Sequence, residues 1–75
     1  MRYWVYTRPY DGSEFTSSPP GDYGSDVVEV EATSKREALV LGLRALRQQQ
    51  SRWIRAMESD KHNPFTGLKA EEDEA

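Results

Sequence analysis

Few residues in this 75-residue chain are of a type and spacing that could support catalysis or bind a metal ion. The single histidine, His62, follows two carboxylates, Glu58 and Asp60. A metal site would want two or more His or Cys residues at ligand spacing, and the sequence contains no cysteine. A hydrolytic nucleophile would need an orienting base, which one histidine beside a turn does not supply. We therefore expect a non-enzymatic protein without metal or cofactor.

A group of arginines at helical spacing could support binding. Arg44, Arg52 and Arg55 would share one polar helix face, where guanidinium groups can neutralise phosphates. The simpler interpretation is a solvated face, and a third is that the Glu-rich C-terminal tail or an acidic partner lies along it. The formal net charge is −3, so the rest of the chain would repel a polyanion. Nucleic-acid binding is therefore the alternative function.

A narrow strip on the same helix offers an apolar contact. Leu41 would lie almost opposite the main apolar face, beside Ala38 and Ala45. It is either an incidental exposed leucine among helix-favouring alanines or the knob of a docking strip.

The first element that must position candidate residues is a strand from Arg2 to Arg8, where aromatic and β-branched residues alternate. Trp4 and Tyr6 point to one face, and Tyr3 and Val5 point to the other. Because both faces carry large rings, neither is plainly the solvent face.

A loop over residues 9–25 follows, rich in Gly, Pro, Ser and Asp. Connections of this length are usually functional or mobile. Tyr10, Phe15 and Tyr23 lie within it, and they either pin the loop onto the domain or are offered to a partner.

The hydrophobic period changes from two residues to about 3.6 after a second strand at Val27–Ala32. Ser34 is placed as the N-cap of a helix, with Glu37 completing a capping box. One amphipathic helix from Ser34 to about Glu58 is predicted, with Trp53 on its main apolar stripe.

Such a helix would be roughly 37 Å long, whereas a seven-residue strand spans about 23 Å. Its distal third would overhang a two-stranded sheet. The overhang could be covered by Phe65 and Leu68, by the aromatic loop, by a break near residues 48–50, or by a second chain. The fold class is therefore α+β: a small antiparallel β-hairpin sheet packed by one long helix, in the order β-β-α.

The C-terminal part of the sequence is predicted less regularly. Asn63–Pro64 stops helical structure, and residues 66–70 could add a short third strand. We expect a single domain over residues 1–70 and an acidic disordered tail over 71–75.

From about Val27 to Glu72 the chain resembles small accessory proteins of actinobacterial phages. The resemblance rests on Val-Glu-Val-Glu-Ala at 28–32, the Ser/Thr-capped helix start with Glu37–Ala38, the late Trp53, and Asn-Pro-Phe-Thr-Gly-Leu at 63–68. It implies a protein made in the cytoplasm of a bacterial host. Small non-enzymatic members of such families commonly bind a host or phage protein. No functional residue carries over from the resemblance.

The leading prediction is a non-enzymatic protein–protein interaction module, a phage-encoded accessory protein that binds and modulates a host protein. The overhanging helix also predicts a homodimer. No segment approaches the length of a membrane span, and the apolar run at the N-terminus is too short for a signal peptide, so we expect a cytoplasmic location. The candidate partner-binding residues are Trp4, Tyr6, Phe15, Tyr23, Leu41, Arg44 and Arg52.

Overall fold

The computed structural model describes residues 1–8, 10 and 26–73, and these residues form an α+β arrangement, as the sequence predicts. Its elements in chain order are β1 (Arg2–Thr7), β2 (Val27–Glu31), α1 (Lys35–Gln48), α2 (Arg52–Ser59), a 3-10 helix (Pro64–Gly67) and β3 (Leu68–Glu72).

The sheet has three antiparallel strands in the order β2-β1-β3, so β1 is central. The third strand exists, but it runs from Leu68 to Glu72 rather than over residues 66–70. The predicted two-stranded hairpin is thus too small. Glu71 and Glu72 belong to β3 although the sequence assigned them to a tail, because an edge strand tolerates charged side chains that reach solvent.

The core lies between one sheet face and the two helices. Alternate residues of β1 point into it, as the period-2 pattern predicts. The buried apolar side chains that meet there include Tyr3, Val5, Val28, Leu43, Leu46, Ile54, Met57, Leu68 and Ala70.

Helix α1 crosses the central strand at very close range. A Cβ atom built on Gly42 would lie only 2.4 Å from Val5 Cγ1 and 2.5 Å from Val5 Cβ. A glycine in a helix interior costs up to about 1 kcal/mol in helix propensity. It is required here because only a residue without a side chain lets the helix backbone pack directly on Val5.

The prediction of one long helix is wrong, because the helical region breaks between α1 and α2. Gln50 has a positive φ of 58°, and its N–H donates to the Arg47 carbonyl at 3.0 Å. The Ser51 N–H donates to the Leu46 carbonyl at 3.0 Å, which completes a Schellman ending. Ser51 then caps α2, since its hydroxyl accepts from the Ile54 N–H at 3.4 Å.

The break removes the overhang. It turns α2 so that Ile54 and Met57 are buried in the same core as Leu46. A break near residues 48–50 was one of four ways to cover the distal helix, and it is the one the structure has. The overhang consequently no longer argues for a second chain.

The predicted start of α1 is confirmed. The Glu37 N–H donates to the Ser34 hydroxyl at 3.1 Å. The Glu37 carboxylate accepts from both the N–H and the hydroxyl of Thr33, at 3.0 and 3.3 Å. The side chain thus reaches back one residue beyond the N-cap and ties the β2–α1 turn to the helix.

Candidate interaction surface

The outer face of the sheet, opposite the helices, carries an exposed tryptophan at its centre. Trp4 lies on the central strand and is 42% exposed. The strand register places it between Glu29 of β2 and Glu71 of β3. A large exposed ring on a rigid central strand is an unusual feature for a small protein, because burial would normally stabilise it by a few kcal/mol.

Tyr6 lies on the same face but in a different environment. It is only 6% exposed, and its hydroxyl donates to Glu71 Oε1 at 2.9 Å. Of the two rings predicted to meet a partner, Trp4 is the available one, whereas Tyr6 positions a carboxylate.

Carboxylates flank Trp4 on both neighbouring strands. Arg2 lies 3.7 Å from Glu29 and 4.0 Å from Glu31, and the N-terminal ammonium lies 3.2 Å from Glu31. These pairs are mostly exposed and therefore weak. On this face three carboxylates, Glu29, Glu31 and Glu71, are balanced by Arg2, Lys69 and the N-terminal ammonium, but the two side chains directly opposite the ring, Glu29 and Glu71, are both acidic.

The helical layer presents the other candidates. Leu41 is half-buried and packs against the core, so only part of its side chain is available to a partner. Arg44 is exposed. The predicted docking strip is thus partly occupied by the protein's own core.

Arg52 is exposed and contacts its sequence neighbour. Its guanidinium carbon lies 4.6 Å from the ring centroid of Trp53, a cation–π arrangement. Trp53 itself is half-buried, whereas its position on the main stripe predicted a core residue. The break before α2 rotates this part of the stripe, so Ile54 and Met57 take the fully buried positions instead.

Tyr10 was not among the candidate residues, although it joins two distant parts of the chain. Its hydroxyl donates to Asp60 Oδ2 at 2.9 Å, and its ring meets the His62 ring edge-on with centroids 5.1 Å apart. Tyr10 thereby ties the chain after β1 to the end of α2. Tyr10 is one of the three aromatic residues expected either to pin the loop onto the domain or to be offered to a partner, and its contacts fit the first alternative. The candidates Phe15 and Tyr23 lie outside the described residues.

No cluster of three or more His, Cys, Asp or Glu side chains able to hold a metal ion occurs within residues 1–8, 10 and 26–73. None of the helices in that part of the chain is long and apolar enough to cross a membrane.

Comparison with family models, with curated proteins and with solved structures gives no significant match. Surface chemistry must therefore indicate the function.

Proposed function

We infer that this protein is a non-enzymatic interaction module that binds another protein through the outer face of its sheet. The observation that supports this function is Trp4, exposed on the central strand of a rigid sheet. Tryptophan dominates the binding energy of many protein interfaces, because it offers a large apolar area at a small cost in conformational entropy.

The carboxylates around Trp4 define the partner that would fit. Glu29 and Glu71 flank the ring in the strand register, so a partner with an apolar pocket rimmed by Lys or Arg is complementary. The resemblance to actinobacterial phage accessory proteins supplies the setting: a phage-encoded protein that binds and modulates a host protein in the bacterial cytoplasm.

The test compares two exposed aromatic residues. Wild-type protein, Trp4→Ala and Phe65→Ala would be immobilised and exposed to an actinobacterial lysate, and captured proteins would be quantified by mass spectrometry. Phe65 is a matched control, because it is 40% exposed against 42% for Trp4 but lies outside the sheet. We expect a specific partner with wild type and Phe65→Ala, and at least about tenfold less with Trp4→Ala.

Circular dichroism would show that both variants remain folded. Equal capture by wild type and Trp4→Ala, or no specific capture at all, would reject the outer face as the binding surface. If a partner protein is captured, its binding in purified form should weaken as the salt concentration rises, since exposed charges flank the Trp4 ring.

Exposed arginines on the helical layer favour nucleic-acid binding as the second candidate function. Arg44 and Arg55 are exposed and make no ion pair within the described chain, whereas Arg47 is bonded to Glu58 at 2.9 Å. Fluorescence anisotropy with labelled duplex and single-stranded DNA in low salt is the test. We expect no binding; micromolar binding that is lost in Arg44→Glu/Arg52→Glu would favour this function instead. Its salt dependence should then have a log–log slope of about −0.9 per phosphate contacted.

A further inference from the structure

One edge of the sheet has unpaired backbone groups. The Arg8 N–H donates to the Gly67 carbonyl at 2.7 Å, and the Asp73 N–H donates to the Arg2 carbonyl at 2.8 Å. These two bonds fix the alternation along β3: residues 67, 69, 71 and 73 bond to β1. The backbone groups of Leu68, Ala70 and Glu72 therefore point away from the sheet. The Leu68 N–H donates to the Phe65 carbonyl. The Leu68 carbonyl and the N–H and carbonyl groups of Ala70 and Glu72 have no partner among the described residues.

A groove lies beside this edge. Its volume is about 370 Å³, and its apolar lining comes from Leu39 of α1 together with Leu68 and Ala70 of β3. Lys35, on the first turn of α1, also lines it. A strand added to β3 would satisfy the backbone groups and cover the groove at the same time.

We propose that a second copy of this chain adds to β3 by antiparallel β3–β3 pairing, with the two-fold axis at Ala70. The sheet then continues across the two copies as six strands. The Ala70 residues of the two copies exchange both backbone hydrogen bonds, and the Leu68 carbonyl of each copy accepts from the Glu72 N–H of the other. This arrangement is isologous, so it closes at two chains.

The charges on β3 select this register. With the axis at Ala70, Lys69 lies directly opposite Glu71 of the second copy, and Glu71 lies opposite its Lys69. Both pairs fall at non-hydrogen-bonded positions, where facing side chains approach most closely. An axis at Lys69 would place lysine against lysine, and an axis at Glu71 would place glutamate against glutamate. Of these three registers, only the one centred on Ala70 joins opposite charges without also placing like charges opposite each other.

Two further contacts support the same register. The Tyr6 hydroxyl holds the Glu71 carboxylate on the outer face, so this charge is already oriented. On the helix-facing side, Glu72 of the second copy lies opposite Leu68, where Lys35 lines the groove. Neither Lys35 nor Lys69 forms an ion pair within the described chain, so both ammonium groups are available.

Reciprocal charge variants test the register directly. Lys69→Glu places two carboxylates opposite each other, and Glu71→Lys places two ammonium groups opposite each other. Sedimentation equilibrium from about 10 µM to about 1 mM covers the range in which a small interface associates. We expect wild type to dimerise and each variant alone to associate at least about tenfold more weakly.

Mixing the two variants provides the decisive measurement. A Lys69→Glu chain facing a Glu71→Lys chain restores opposite charges at both positions, so the equimolar mixture should form a heterodimer. The double variant Lys69→Glu/Glu71→Lys should likewise dimerise. Because rescue requires folded chains, it also excludes misfolding as the cause of the loss.

Arg55→Glu, the same charge change as Lys69→Glu but at an exposed position of α2, is the matched control and should leave wild-type association unchanged. The proposal is overturned by a wild type that stays monomeric up to about 1 mM, by single variants that associate like wild type, or by a mixture that does not recover. It does not depend on the binding role of Trp4, since edge pairing leaves the outer face open.

Discussion

The two edges of this sheet differ in how their charges are ordered. On β3, Lys69 and Glu71 alternate in sign, so antiparallel self-pairing brings opposite charges together. On β2 the bond from the Ala32 N–H to the Met1 carbonyl, 2.9 Å, shows that Val27, Glu29 and Glu31 direct their backbone groups outward. Self-pairing of β2 in a register centred on Glu29 sets Glu29 against Glu29, and in one centred on Val30 it sets Glu29 against Glu31.

The difference shows how a small sheet with two open edges can favour one of them. Like charges directly opposite each other disfavour strand pairing, and opposite charges favour it. Edge choice therefore depends on the order of charges along five residues rather than on their number. Moreover, the β2 carboxylates are already engaged by Arg2 and the N-terminus, whereas Lys69 makes no ion pair in the described chain.

The largest expected effect concerns the scaffold that holds both edges in place. Gly42→Ala places a methyl group 2.4 Å from Val5 Cγ1, so the helix must move away from the sheet. We expect the free energy of unfolding to fall by about 1–3 kcal/mol, despite the better helix propensity of alanine. Urea denaturation measures it. Val40→Ala, at an exposed position of the same helix, is the control and should change stability by under about 0.5 kcal/mol. An unchanged or raised stability in Gly42→Ala would mean that α1 does not rest on Val5.

The second effect would convert the β2 edge into one that resembles β3. Glu29→Lys places a cation two residues before Glu31, so a register centred on Val30 joins opposite charges. In a Lys69→Glu background, where β3 pairing is suppressed, we expect this change to strengthen association by about 1–2 kcal/mol. Sedimentation equilibrium of the single and double variants measures the difference. Glu29→Gln is the control, because it removes the carboxylate without adding a cation and should give a smaller gain. If Glu29→Lys gave no gain over Glu29→Gln, charge order would not be what decides edge pairing.

The β3 edge also marks the limit of what the sequence could predict. The strand β2, the Ser34 cap and the α+β class follow from local periodicity and capping, and all three were found. The pairing of β3 with β1 is non-local. Only two residues of β3, Leu68 and Ala70, point into the core, and two apolar residues are too few to predict where a strand ends. The outward direction of its backbone groups is visible only once the register is known.

The break between the helices was hard to predict for a related reason. Helix endings of this type usually carry glycine at the residue with positive φ, and here Gln50 occupies that position. Among the candidate partner residues, Trp4 and Tyr6 were indistinguishable by sequence, since both are rings on one face. In the structure Tyr6 is 6% exposed and its hydroxyl donates to Glu71, whereas Trp4 is 42% exposed.

A third prediction separates stability from edge pairing. Gln50→Gly removes the steric cost of a positive φ at the end of α1, far from either edge, and should raise the free energy of unfolding by about 0.5–1 kcal/mol. Lys61→Gly, at the equivalent position after α2 with a φ of 62°, should give a similar gain. Association measured by sedimentation should stay as in wild type for both. A dimer that strengthened in step with stability would indicate that association depends on global folding rather than on β3.

The smallest expected effect concerns the ion pairs beside β2. Arg2→Ala removes the contacts to Glu29 and Glu31, at 3.7 and 4.0 Å, but the arginine side chain is 66% exposed. Exposed pairs of this length contribute little, so we expect a stability loss below about 0.5 kcal/mol by urea denaturation.

The control is Arg36→Ala, because Arg36 is exposed and makes no ion pair in the described chain, and it should lower stability by a similarly small amount. Unshielded, Glu29 and Glu31 would repel a second β2 edge more strongly, so Arg2→Ala should leave β2 unpaired and β3 association intact. A stability loss above about 1 kcal/mol would show instead that Arg2 holds β2 against β1. Glu29 and Glu31 would then stabilise the fold in addition to disfavouring β2 self-pairing.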